Sequence, residues 1–216
     1  MRTPKSAFWT LSVAALLLMG CQSAYYGAME QFGYHKREIL TDRVEEARES
    51  QEEAKEQFTS ALDQFKSVVN FDGGDLEKQY DKLNSAYERS KDQAEDVSER
   101  IADVESVAEA LFREWQSELA EYSNRELMRI SEERLTETKR EYSRLISAMK
   151  RAENKMPPVL AALKDQVLFL KHNLNARAVS ALKTELNTME NNVATLIADM
   201  ESAIAEADAF IKQMGQ

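Results

Sequence analysis

The chain is poor in the residues that make turns. It carries 6 Gly and 3 Pro in 216 residues, where ordinary usage would give about 25 of the two together. A sheet protein of this length needs many turns, and turns draw on Gly and Pro. The composition therefore argues against all-β and α/β folds, and long helices are the default. Cysteine is almost absent as well. The single Cys21 leaves no intramolecular disulfide framework, and 2 His leave no His-rich metal site. Positive charge is in deficit: 38 Asp+Glu against 28 Lys+Arg gives a net charge of -10. Phosphate repels that balance, so no nucleic-acid partner is expected. With 31% of its residues charged, the chain is not a multi-span membrane protein.

The first twenty residues hold an address. Arg2 and Lys5 form a short basic region, and an apolar stretch from Ala7 to Met19 follows. That stretch has the length of a signal-peptide core and falls short of the ~20 apolar residues a membrane-spanning helix needs. It ends in Leu18-Met19-Gly20-Cys21, which resembles the lipobox of bacterial lipoproteins: an aliphatic residue, a small residue directly before the cleavage point, then Cys. The resemblance implies cleavage before Cys21, two acyl chains on its thiol, and a third on the newly exposed amine. One chain anchors a protein only marginally, whereas two or three hold it stably. An ordinary secretory signal with a chance Cys, or an N-terminal membrane anchor, are the alternatives. Lipidation is preferred because the only Cys stands at the one position the motif requires. Gln22, in place of Asp, implies by the same resemblance the inner leaflet of the outer membrane. Loss of Arg2 and Lys5 on cleavage would take the net charge from -10 to -12, and no run long enough to span a bilayer would remain.

Residues 21–35 form an apolar and aromatic lead with Tyr25, Tyr26, Met29, Phe32 and Tyr34. They read either as a segment lying among lipid headgroups or as first helical turns packed on the end of a bundle. From about Lys36 to Asn70, Leu40, Val44, Ala47, Gln51, Ala54, Phe58, Ala61, Phe65 and Val68 alternate in steps of four and three, a heptad seam. Gly73-Gly74 stops this helix, and Asp75 can cap the next. The Gly pair lacks the Lys and the preceding strand of a phosphate-cradling loop. The second helix carries two seams, Leu76-Leu83-Ser90-Val97-Val104-Leu111-Glu118 and Tyr80-Tyr87-Ala94-Ile101-Ala108-Trp115-Tyr122. Each repeats every seven residues, the period of a left-handed supercoil. The frame breaks near Tyr122 and resumes, shifted, with Met128, Leu135, Thr138, Tyr142, Leu145, Met149 and Ala152. Ser123 to Glu126 has the form of a capping box, yet neither Gly nor Pro marks a turn. The expectation is one continuous, perturbed helix, with a turn at 123 as the alternative. Met156-Pro157-Pro158 predicts the second firm stop, with Pro in the first turn of a last helix running from about 158 to 214.

The predicted fold class is all-α: an elongated antiparallel helical bundle or coiled coil of three or four long helices. Four helices follow if the chain turns at 123. The predicted organisation is a signal peptide over 1–20, a lipidated lead over 21–35 and a single helical-bundle domain over 36–216.

One segment departs from the heptad background. Residues 166–178 read Gln-Val-Leu-Phe-Leu-Lys-His-Asn-Leu-Asn-Ala-Arg-Ala. Four successive apolar residues, Val167 to Leu170, are hydrophobic all round a helix and must be buried on several sides or used as a contact. Phe169, Lys171, His172, Asn173, Asn175 and Arg177 form a candidate contact patch. The competing reading, preferred on sequence, is a buried polar layer that fixes helix register. His172 has no second His or Cys at ligand spacing, so no metal is expected. No catalytic constellation appears either. The sequence lacks a nucleophilic triad context, a Gly-rich nucleotide fingerprint and a zinc-protease motif, and its carboxylate pairs, such as Glu45-Glu46 and Glu132-Glu133, read as solvated helix faces. No cofactor is expected.

Tyr25-Tyr26 with Glu30, Gly33 and Lys36-Arg37, then Asp42-Arg43-Val44-Glu45, Gly73-Gly74-Asp75-Leu76, Ala110-Leu111-Phe112 with Glu114-Trp115, and Leu168 to Arg177 carry a wider resemblance. The chain resembles an uncharacterised family of Gram-negative bacterial lipoproteins known only as a domain of unknown function. The resemblance implies a helical envelope lipoprotein and transfers no catalytic residue. The expected function is that of a non-enzymatic, periplasm-facing scaffold held in the outer membrane by its lipid, with a protein partner or a second copy as its ligand. The alternatives are a lipid-binding or membrane-shaping bundle and an accessory to an envelope enzyme acting through residues 166–178.

Overall fold

The computed structural model describes residues 36–215, so the expected signal peptide over 1–20, Cys21 and the aromatic lead over 21–35 lie outside the described residues. Four long helices follow one another: α1 (Lys36–Val69), α2 (Leu76–Glu118), α3 (Arg125–His172) and α4 (Ala176–Met214). No strand occurs among the described residues. Each helix packs on its neighbour in sequence and α4 closes back on α1, giving an up-down-up-down four-helix bundle.

The heptad seams are its core. Every seam residue of α1 from Leu40 to Val68 is fully buried, Gln51 included. In α2 the positions from Leu76 to Leu111 are buried or half-buried. The seam then runs off the end of the bundle, with Glu118 and Tyr122 exposed. In α3 and α4 the buried stripe is Leu135, Leu145, Met149, Ala152, Met156, Val159, Leu163, Val167 and Leu170, facing Val179, Leu182, Met189, Val193, Leu196, Met200, Ala203, Ala207 and Phe210. Burying a side chain such as Phe58 or Phe65 contributes about 1.5–3 kcal/mol, and long helices draw most of their stability from such a face.

The α1–α2 turn forms as its sequence predicts. Gly73 and Gly74 take φ of 149° and 117°, a region that favours glycine. The Asp75 carboxylate accepts from the Lys78 backbone N–H at 3.2 Å and caps α2.

The other two turns depart from expectation. α2 and α3 are separate helices: a 3-10 turn at Leu119–Glu121 leads to an extended Tyr122, and Asn124 caps α3 by accepting from the N–H groups of Glu126 and Leu127. Asn124, one residue on from the predicted Ser123, is therefore the cap. The predicted stop at Pro157-Pro158 is overturned, because both prolines lie inside α3. They are tolerated because both rings face solvent while Met156 and Val159 on either side stay buried. The carbonyls they leave without an N–H partner belong to Glu153, half-buried, and Asn154, exposed. The last helix consequently begins at Ala176, well after Pro158. The chain turns at Asn173–Asn175, inside the segment expected to lie within the last helix.

Candidate functional site

The α3–α4 turn assembles from hydrogen-bonded asparagines. The Asn173 backbone N–H donates to the Leu170 carbonyl at 3.0 Å, and its side-chain amide donates to the Phe169 carbonyl at 2.9 Å, which closes the end of α3. Asn175 then accepts on Oδ1 from the N–H groups of Arg177 and Ala178 at 3.0 and 3.1 Å and starts α4. These bonds hold a tight tip between two long helices without any positive φ.

The tip is exposed. Phe169 is 40% exposed, Leu168 45% and Leu174 43%, and Lys171, His172, Asn175 and Arg177 also face solvent, with Asn173 half-buried. The reading of this segment as a buried register-setting layer is thus overturned: the polar residues cap and surround a turn, and only Val167 and Leu170 of the apolar run enter the core. The structure brings all six residues of the predicted patch together. It adds Leu168 and Leu174, which are not among those six. Their signal was present, since both are large apolar residues off the buried stripe. Residues 166–178 hold Lys171 and Arg177 and no carboxylate in a chain of net charge -10. Lys171 lies beside His172 in the last turn of α3, where its cation meets the negative end of the helix dipole.

The tip stands far from the chain's point of entry. α4 has 39 residues, about 58 Å at 1.5 Å per residue. At its far end the Arg37 guanidinium donates to the Met214 carbonyl. Lys36 pairs with Glu114 at 3.0 Å at that same end, so the α2–α3 hairpin projects past both Lys36 and Met214. Its tip exposes Tyr122, Leu127 and Ile130 at 42%, 53% and 43%. Among the described residues the exposed large hydrophobic side chains are Tyr122, Leu127, Ile130, Leu168, Phe169 and Leu174. All six belong to the α2–α3 and α3–α4 hairpin tips, and none to the α1–α2 turn or the sides of the bundle.

The sides carry charge. A polar cleft of about 260 Å³ between α1 and α2 is lined by Glu46, Glu49, Ser50, Glu53, Asp96 and Arg100. Ser50 donates to Asp96 at 2.6 Å, and Glu46 accepts from Arg43 and Arg100 at 2.6 and 3.0 Å. Its groups are thereby largely occupied with one another. Among the described residues no group of three or more His, Cys, Asp or Glu side chains stands where it could hold a metal ion. No described helix is long and apolar enough to cross a membrane.

The family model for proteins of unknown function DUF2959 matches residues 25–214. The chain belongs to that family. A comparison with curated proteins gives no match. The α2–α3 and α3–α4 tips and all four helices fall inside the matched region.

Proposed function

We propose that the protein is a non-enzymatic lipoprotein, anchored through acylated Cys21 in the inner leaflet of the outer membrane, whose bundle acts as a periplasmic scaffold. The observation that carries this reading is the confinement of the six exposed large apolar side chains to the two tips. A bundle whose sides are charged and whose α2–α3 and α3–α4 tips are apolar presents those tips for contact. The α3–α4 tip lies about 58 Å from the end where the chain arrives from Cys21. It combines Phe169, Leu168 and Leu174 with Lys171, His172 and Arg177, which suits a protein partner that pairs apolar surface with carboxylates.

Crosslinking in cells, followed by pull-down of the lipidated protein, tests the reading. Phe169→Ser with Lys171→Glu should abolish the principal adduct while leaving the circular-dichroism melt unchanged. An undiminished adduct from a folded double variant sinks the contact role of this tip. Cys21→Ala should release the protein from the outer-membrane fraction, and continued fractionation there would rule out lipidation as the anchor.

A further inference from the structure

We propose that the α2–α3 tip is a foot that rests on the bilayer in which the lipid is anchored, inserting Tyr122, Leu127 and Ile130 into its interface. The proposal rests on the anchoring reading. Three features support it beyond that reading.

The first is position. Only the residues between Cys21 and Lys36 separate the anchor from α1, about 50 Å when fully extended and about 22 Å as helix. The α2–α3 hairpin projects past Lys36, so at this end it extends beyond the point where the chain enters α1.

The second is composition. Leu127 and Ile130 are three residues apart and share one face of α3. That face is turned away from the bundle, since the inward positions are taken by half-buried Met128 and Ser131 and buried Leu135. Packing inside the bundle does not account for a Leu and an Ile there, and Tyr122 at the turn is a residue that favours the headgroup level.

The third is charge. Residues 119–134 hold three arginines, Arg125, Arg129 and Arg134, against Glu121, Glu126, Glu132 and Glu133. Arg129 is paired with both Glu126 and Glu133. The tip is therefore close to neutral within an acidic chain, and it has no free basic surplus with which to seize anionic headgroups. It would act as an apolar wedge. Three half-exposed side chains give weak affinity alone, but a short tether holds them at a millimolar effective concentration, on the order given by flexible linkers.

Trp115 reports on the foot directly. Its indole donates to Ser131, the residue beside Ile130, and it is the one tryptophan left once residues 1–20 are cleaved. The full-length protein, matured in cells, is reconstituted into vesicles of phosphatidylethanolamine and phosphatidylglycerol containing brominated phospholipid. Trp115 emission should fall at least twofold relative to unbrominated vesicles, and the fall should persist in high salt. Leu127→Ser with Ile130→Ser should remove the quenching without shifting the melt, because both positions are exposed. The mass of the Cys21 peptide is read on the same sample. Acylated protein with unquenched Trp115 overturns the foot, leaves the anchor intact, and assigns the apolar tip to residues 25–34 or to a protein partner. Quenching abolished by salt overturns the wedge in favour of headgroup attraction. An unacylated Cys21 overturns the anchor, and quenching of that protein by added brominated vesicles then decides the foot by itself.

Discussion

The Trp115 indole N–H donates to the Ser131 hydroxyl at 2.8 Å, joining the last turns of α2 to the second turn of α3. Together with buried Leu119, it fixes the angle at which α2 turns into α3. This turn is made without glycine or proline. Side-chain hydrogen bonds supply what backbone freedom supplies at Gly73-Gly74.

Gln51 lies fully buried on the α1 seam, and neither its Oε1 nor its Nε2 has a hydrogen-bond partner. An unpaired buried amide costs about 1–3 kcal/mol. Gln51→Met keeps the volume and removes both polar atoms. It should raise stability by about 1–3 kcal/mol, or about 2–4 °C of Tm per kcal/mol. Urea and thermal denaturation check this, and a lower midpoint would show that the amide is satisfied in solution.

Pro157 and Pro158 each remove a backbone hydrogen bond from the interior of α3. Proline costs about 3 kcal/mol relative to alanine in such a position, less where the orphaned carbonyl is hydrated. Pro158→Ala, at an exposed site, should therefore stabilise the bundle by about 1–3 kcal/mol, measured as a shift in urea midpoint. Destabilisation would mean that the ring itself packs usefully.

Asn124 and Asn175 each cap a helix by accepting two backbone N–H groups. Either residue changed to Ala should cost about 1 kcal/mol. The caps sit at opposite ends of α3, whose 48 residues span about 72 Å, so the two costs should add. A double variant that loses much less than the sum would show that one turn re-forms with another cap, Ser123 being the candidate at the first.

Tyr142 packs edge-to-face on Phe112 with ring centroids 5.3 Å apart. Burial, helped by the carboxylates of Glu105 and Glu109, pushes its phenol up to about 12. The folded-state value lies above the unfolded value of about 10, so its contribution to stability is complete below pH ~10 and is lost as pH climbs through about 12. Tyr142→Phe should lose less stability than the parent between pH 9 and 12, on the order of that window. Parallel denaturation curves in both proteins would refute this.

The seams were legible in the sequence because burial in a long bundle imposes a strict spacing. Each α1 position from Leu40 to Val68 that the heptad selects is buried. The turns were legible only where glycine made them. Asn124 and Asn175 terminate helices through side-chain acceptors, which leave a weaker mark than Gly or Pro. Pro157-Pro158 left a strong but misleading mark. The spacing of Met149, Ala152, Met156, Val159 and Leu163 runs through the prolines without a break, and that continuity prevailed over the local rule. The segment 166–178 stood out correctly as a departure from the heptad. Its exposure could not be read until the position of the turn was known.

Because α4 returns Met214 to Arg37, the even number of helices puts the end of α4 beside the start of α1. A reporter inserted directly after α4 would therefore sit at the Lys36 end and leave the α3–α4 tip unobstructed. A peptide inserted between Asn173 and Asn175 would be carried about 58 Å away. An antibody against the first would mark the end that holds Lys36, and one against the second would mark the opposite end.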